Sequence, residues 1–349
     1  MEDYSRRLVK GEPSVTITRL WDMAEGFGPI KNLLGAGDPN VHKIGGQWWM
    51  FLGAFQDTFK TNLFSASLPH GAPLSSSEWS FTTEESDPHR AASLVPQPGD
   101  GSWDAAGLHT PRYVQGIDAS GRKVERIYYS GRTTEAVTGN SGSRYAIGML
   151  ERVDGAWIRR DDPVFVGTGD DPCALEPTVH YSDGKWRMWY NDAPNPGPGE
   201  LPRYRINYVE SRDGVTDWSA PVQFFSVADS YFDTSITDVG HGYEMVASRG
   251  GNHYLTTSFP EQGLWWYSSE AASGRRADWT ADPVRILDSS GGAYWYANGV
   301  FGPCVRYGDT EADRNTMYVF FTGTYQPADP PFPAPFYFAV GRAEFGEPT

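Results

Sequence analysis

Two stretches of this chain nearly coincide. Residues 38–50 read DPNVHKIGGQWWM, and residues 176–188 read EPTVHYSDGKWRM. Each starts with a carboxylate and a proline, reaches a Val-His pair, turns at a glycine and ends on a methionine twelve residues on. Three more stretches share the outline: TPRYVQGIDASGRKVERIYYSG from Thr110, DTSITDVGHGYEMVASRG from Asp233 and GPCVRYGDTEADRNTMYVFFTG from Gly302. All five read as a strand, a turn rich in Gly and Asp, and a second strand of β-branched and aromatic residues. Their starts lie 72, 66, 57 and 69 residues apart, a period that marks a repeat architecture.

A second marker gives the same count. Late in each of the first four units another hairpin leads to a tryptophan: Trp79, Trp157, Trp218 and Trp279. The fifth unit has none, but VTITRLWDM near the beginning supplies Trp21. Residues 15–22 are therefore expected to complete the last unit, closing a ring of four-stranded sheets that leaves no long free edge. The expected fold is an all-β, five-bladed β-propeller. Residues 1–349 form a single domain in this scheme, with blades starting near 38, 110, 176, 233 and 302. Met50, Met188 and Met245, with the tryptophans, are expected to pack blade against blade.

Composition narrows the partners. A net charge of −15 argues against nucleic acid and anionic membranes and suits a neutral small-molecule or oligosaccharide partner. No run of 18 apolar residues is present, so no spanning helix is expected. The start, MEDYSRRLVKGEPSV, has no apolar stretch of the secretory type, which gives a cytoplasmic expectation. Cys173 and Cys304 alone make neither a disulfide framework nor a zinc pattern. Oligomeric state is not legible.

In a propeller the first strand of each blade lies along the central channel, and the second returns antiparallel to the same face. Asp38, Thr110, Glu176, Asp233 and Gly302 then converge on one mouth, joined by Phe55, Arg132, Asn191, Asp192, Arg249 and Tyr325 from the returning strands. A single acid before a strand reads as an ordinary turn residue. Three in register raise one another's pKa and supply the mixed protonation that acid–base chemistry needs. Asp238 replaces Asp233 if the register is shifted. His109, beside Thr110, and Trp295, ahead of the fifth unit, are further candidates for contact with substrate. His42, His109, His180 and His241 match no metal motif. The segments 191–205 and 84–107 are candidate rims of the site, and Asp104 in the second reads as structural.

The motifs GDPNVHKIGGQWWMF, GLHTPRYV and RINYVESRDGVTDWSAP resemble those of the five-bladed propeller glycoside hydrolases. The nearest is family 43, with relatives in families 32, 62, 68 and 130. The resemblance spans essentially the whole chain. It implies a first-blade Asp as general base, a third-blade Asp that tunes pKa and a fourth-blade Glu as general acid. Asp38 matches the base. Glu176 stands at the third-blade position and Asp233 at the fourth, so the two residue types are exchanged, and either can be the proton donor. The resemblance also implies that a calcium or sodium ion can occupy the channel; no cofactor is otherwise required and no metal ligand is assigned. Three functions follow as expectations: a glycosidase acting on an arabinose- or xylose-type glycoside, a propeller turned to acid–base cyclisation or elimination in small-molecule biosynthesis, or a sugar-binding propeller without catalysis.

Overall fold

The computed structural model describes residues 15–133, 144–168, 173–192, 204–249, 260–334 and 336–346. Five four-stranded antiparallel sheets are arranged as propeller blades. Blade one comprises Leu33–Ile44, Gln47–Gln56, Thr61–Ser67 and Ser80–Phe81. Blade two comprises Gly107–Ile117, Lys123–Arg132, Tyr145–Val153 and Ala156–Arg159. Leu175–Ser182, Lys185–Asn191, Ile206–Ser211 and Val222–Phe225 make blade three. Tyr231–Asp238, Tyr243–Arg249, Gly263–Ser269 and Val284–Asp288 make blade four. Blade five takes Gly299–Tyr307, Met317–Tyr325 and Tyr337–Phe345 from the end of the chain, and Val15–Asp22 from its beginning. The last two pair antiparallel, Val15 with Phe345 through Asp22 with Ala339, so the ring closes as expected.

The core is divided among the blade interfaces. Met188 and Trp186 of blade three pack on Val114 and Tyr128 of blade two. Met245 of blade four packs on Trp189 and Phe224 of blade three. Met50 and Trp48 of blade one meet Cys304 and Phe320 of blade five, across the closure. Met50, Met188 and Met245 are completely buried. Trp21 and Trp157 lie within outer strands, whereas Trp79, Trp218 and Trp279 stand just before theirs. Among the described residues, no helix is long and apolar enough to cross a membrane.

The first strands share an irregularity that builds the site. Asp38, Thr110, Glu176 and Gly302 all have positive φ, between 48° and 58°. Each is followed by proline, and the ladder slips across each pair: Gly37/Asn40, His109/Arg112, Leu175/Thr178 and Phe301/Cys304. Proline brings no N–H to a ladder, so the strand bulges there. For Asp38, Thr110 and Glu176 the left-handed backbone costs about 1–2 kcal/mol each, and it persists because neighbours hold it. The amide freed by the bulge crosses to the preceding blade of the ring. Asp38 N–H donates to Thr322 Oγ1 at 2.8 Å, Glu176 N–H to Ser130 Oγ at 2.8 Å and Gly302 N–H to Asp233 Oδ2 at 2.8 Å. Blade four has Thr234 where the others have proline. Its slip falls earlier, between Tyr231 and Asp233, and Asp233 is not among the residues with positive φ.

Candidate active site

The bulges bring three carboxyls to one end of the channel. Thr110 Oγ1 donates to Asp38 Oδ2 at 3.0 Å and lies within hydrogen-bonding reach of Glu176. The Glu176 and Asp233 carboxyls lie close enough to share a proton. Burial pushes Glu176 well above the usual carboxylate range, and the charges of Asp233 and Asp38 push it further. Burial also raises Asp38 to about 7, with Asp233 adding to the rise and Arg112 and Thr110 opposing it. Asp233 is raised by burial too, but Arg112, the Gly302 amide and the Glu176 hydrogen bond all favour its anion. The shared proton therefore belongs to Glu176, and the charge to Asp233.

Asp38 and Glu176 open on a cavity of about 110 Å³. Phe55, His109 and Arg132 line it. His109 Nε2 lies 3.1 Å from Thr61 Oγ1. Burial, then the Arg132 charge, lowers its pKa to about 3, so the ring is neutral. Arg132 is anchored by donating to Ala106 O at 2.9 Å. Asp38 Oδ1 and Glu176 Oε2 are buried and accept no hydrogen bond.

Other candidates lie elsewhere. Asp233 sits behind Glu176 and Thr110 beneath Asp38; neither lines the cavity. Asn191 is fully buried. Asp192 is held by Arg205 at 2.9 Å and Asn207 at 2.7 Å. Arg249 lies 4.6 Å over the Trp265 ring and donates to Glu261 O. Tyr325 donates to Asp22, and Trp295 stacks on Phe321 at 5.5 Å inside the blade five core. Strand ends alternate in direction, so sharing a blade edge with Phe55 and Arg132 does not bring these side chains into the cavity. With Ile236 opposite Met245, Asp238 falls at the other end of its strand and is exposed. Asp104 is structural: it is fully buried, accepting from Tyr129 at 2.7 Å and pairing with Arg159 at 3.1 Å. Of the candidate rim 191–205, residues 193–203 lie outside the described residues.

Sequence reasoning overlooked two features. The first is an aromatic wall: Phe232, Phe301, Phe336, Phe338, Tyr145 and Tyr204 complete the cavity. The second is Arg112, 3% exposed, whose charge acts on both Asp38 and Asp233. A signal for it existed, because the residue two beyond each repeat start is Asn40, Arg112, Thr178, Ser235 or Cys304, small or polar in every case and charged only at Arg112.

A channel cation of the kind implied by the resemblance does not fit these residues. Among the described residues no group of three His, Cys, Asp or Glu is disposed to hold a metal. His42 Nε2 instead faces an Arg306 guanidinium nitrogen at 2.6 Å, and the buried Arg112 guanidinium would repel a cation.

Comparison with known proteins supports the architecture. No protein-family model matches the chain, and no curated protein matches it. Solved structures do. An α-L-arabinofuranosidase from Lactobacillus brevis matches with a TM-score of 0.60 at 12% identity, covering 95% of this chain and 97% of that one. The catalytic domain of a family 62 α-L-arabinofuranosidase from Coprinopsis cinerea gives 0.57 at 11%, over 95% and 97%. A family 117 glycoside hydrolase, Zg3597, from Zobellia galactanivorans gives 0.60 at 12%, over 95% and 90%. This chain has the fold of the five-bladed propeller glycoside hydrolases.

Proposed function

We propose that the protein is a glycosidase of the arabinose- or xylose-cleaving type, with Glu176 as proton donor and Asp38 as base. One observation carries this assignment: Glu176 and Asp38, both half-buried and tied through Thr110, open on the same cavity, while Asp233 stays behind Glu176. Glu176 gives its proton to the leaving oxygen as the glycosidic bond breaks. Asp38, with a pKa of about 7, is partly ionised at neutral pH and takes a proton from the attacking water through Oδ1. Asp233, kept anionic by Arg112 and the Gly302 amide, accepts the Glu176 hydrogen bond and orients the donor.

The test uses leaving-group dependence. Glu176→Gln should lose turnover about 10²–10⁴-fold on alkyl arabinosides or xylosides, and far less on dinitrophenyl glycosides, whose leaving group needs no proton. Equal loss on both removes Glu176 from the donor role.

The aromatic wall favours a second function, acid–base cyclisation or elimination of an apolar small molecule. Phenylalanines exclude water and offer a sugar no hydrogen bonds. Silence across arabinosides, xylosides, galactosides and fructosides, with micromolar binding of apolar polycyclic compounds, would move the assignment there.

A further inference from the structure

The channel has a second mouth, and the residues there are of the opposite kind. Arg112, Arg306, His42, His180, Thr178 and Ser235 surround a cavity of about 250 Å³ at the end of the first strands away from the acids. We propose that this cavity binds a small monovalent inorganic anion of the halide class on Arg112.

Arg112 carries the argument. It is 3% exposed, and Nε and both Nη atoms are buried without any hydrogen-bond partner. Asp38 and Asp233 attract it through space, but neither accepts a hydrogen bond from it. A buried guanidinium with all its donors idle is among the most costly arrangements a protein interior can hold. Water would occupy those donors but bring no charge; an anion does both.

The rest of the wall suits the same ligand. Ser235 Oγ accepts from the Val305 amide at 3.1 Å, which leaves its own O–H to donate. His180 Nε2 is buried without a partner. Burial, then Arg187, lowers its pKa to about 4, so the ring is neutral at physiological pH and adds no proton-dependent charge. Arg306 is already engaged, donating to Val41 O, Val305 O and His42, yet its charge still faces the cavity. Thr178 spends its hydroxyl proton on Thr234 O, so the donors that remain are few and grouped around Arg112. Asp238, exposed at the rim, disfavours a divalent anion.

Crystals of the full chain grown in sodium bromide provide the test. Anomalous scattering at the bromine edge should show one buried bromide about 3.3 Å from the Arg112 nitrogens, a distance typical of N–H to halide contact and somewhat longer than N–H to oxygen. In solution, the thermal midpoint should rise with chloride or bromide concentration and not with gluconate, which is too large for the cavity, at matched ionic strength. Arg112→Gln should abolish the rise. If that variant does not fold, Ser235→Ala should weaken halide affinity several-fold instead. A cavity holding only water at the bromine edge, or a midpoint that responds equally to gluconate, overturns the proposal.

Discussion

The two ends of the channel are built from the same five strands and solve the problem of buried charge in opposite ways. At the acid end, burial and mutual repulsion keep protons on carboxyls that would lose them in water. At the far end, burial and nearby guanidiniums strip protons from histidines that would keep them. His42 is lowered well below its usual value by burial, Arg306 and Arg112, and His180 is lowered to about 4. Their contributions to stability therefore slope in opposite directions with pH. Native carboxyls hold protons that the unfolded chain has released, so the acid end loses stability as pH rises. Native histidines lack protons that the unfolded chain binds, so the far end loses stability as pH falls. A chain that buries carboxyls at one end of its channel and histidines at the other must tolerate both slopes.

The largest effect that separates the ends should be catalytic. Asp38→Asn should lower turnover about 10²–10⁴-fold, whereas Thr237→Val, at the far end, should leave it unchanged. Comparable losses from both would mean that the chemistry is not confined to the acid end. Next comes Gly302, the one repeat start without a side chain. A Cβ there would meet Asp38 Oδ1 at 2.7 Å, on a backbone with φ +58°. Gly302→Ala should lower the unfolding free energy by about 2–4 kcal/mol, read from the denaturant midpoint.

Two smaller effects test the slopes themselves. Asp38→Asn removes a group whose folded pKa is about 7 against about 4 unfolded. Wild type should lose stability relative to this variant as pH rises from about 4 to 7, by about 3 kcal/mol, with a constant gap above about pH 8. Parallel stability curves for the two proteins would show that the Asp38 carboxyl is not perturbed. The smallest effect is His42→Gln, which keeps an acceptor for Arg306. Below about pH 6.5 wild type should lose stability more steeply than this variant, in the same denaturation series.

Much of the fold was legible because the chain repeats itself. Met50, Met188 and Met245 occupy one place in three hairpins, and the missing fifth tryptophan pointed to Val15–Asp22 as the closing strand. The same alignment found Asp38, Glu176 and Asp233, since equivalent positions in a ring converge by symmetry. Symmetry does not say which residues at a strand end face inward. The bulge resets the direction of each first strand, and in blade four, without the proline, it resets it one step earlier. So Phe55 and Arg132 reach the cavity while Asn191 and Arg249 do not. Nor can a sequence separate Phe232, Phe301 or Phe338 from ordinary core phenylalanines, because a substrate wall and a blade core use the same residue type.

The pairing of Thr16 with Glu344 sets an order of events during synthesis. Of the ring's strands, the first to leave the ribosome is the last to find its neighbour, since Tyr337–Phe345 emerges only after blades one to four have been made. Blades one to four can each form as their own hairpins appear, but Val15–Asp22 must wait with an unpaired edge until the rest of the ring has been made. Its sequence, VTITRLWD, alternates Thr and Arg with apolar residues, and the polar positions limit its attraction for other chains during the wait. The nascent ring is thus an open arc until its final strand arrives, and a pause late in translation would prolong its exposure far more than a pause early on.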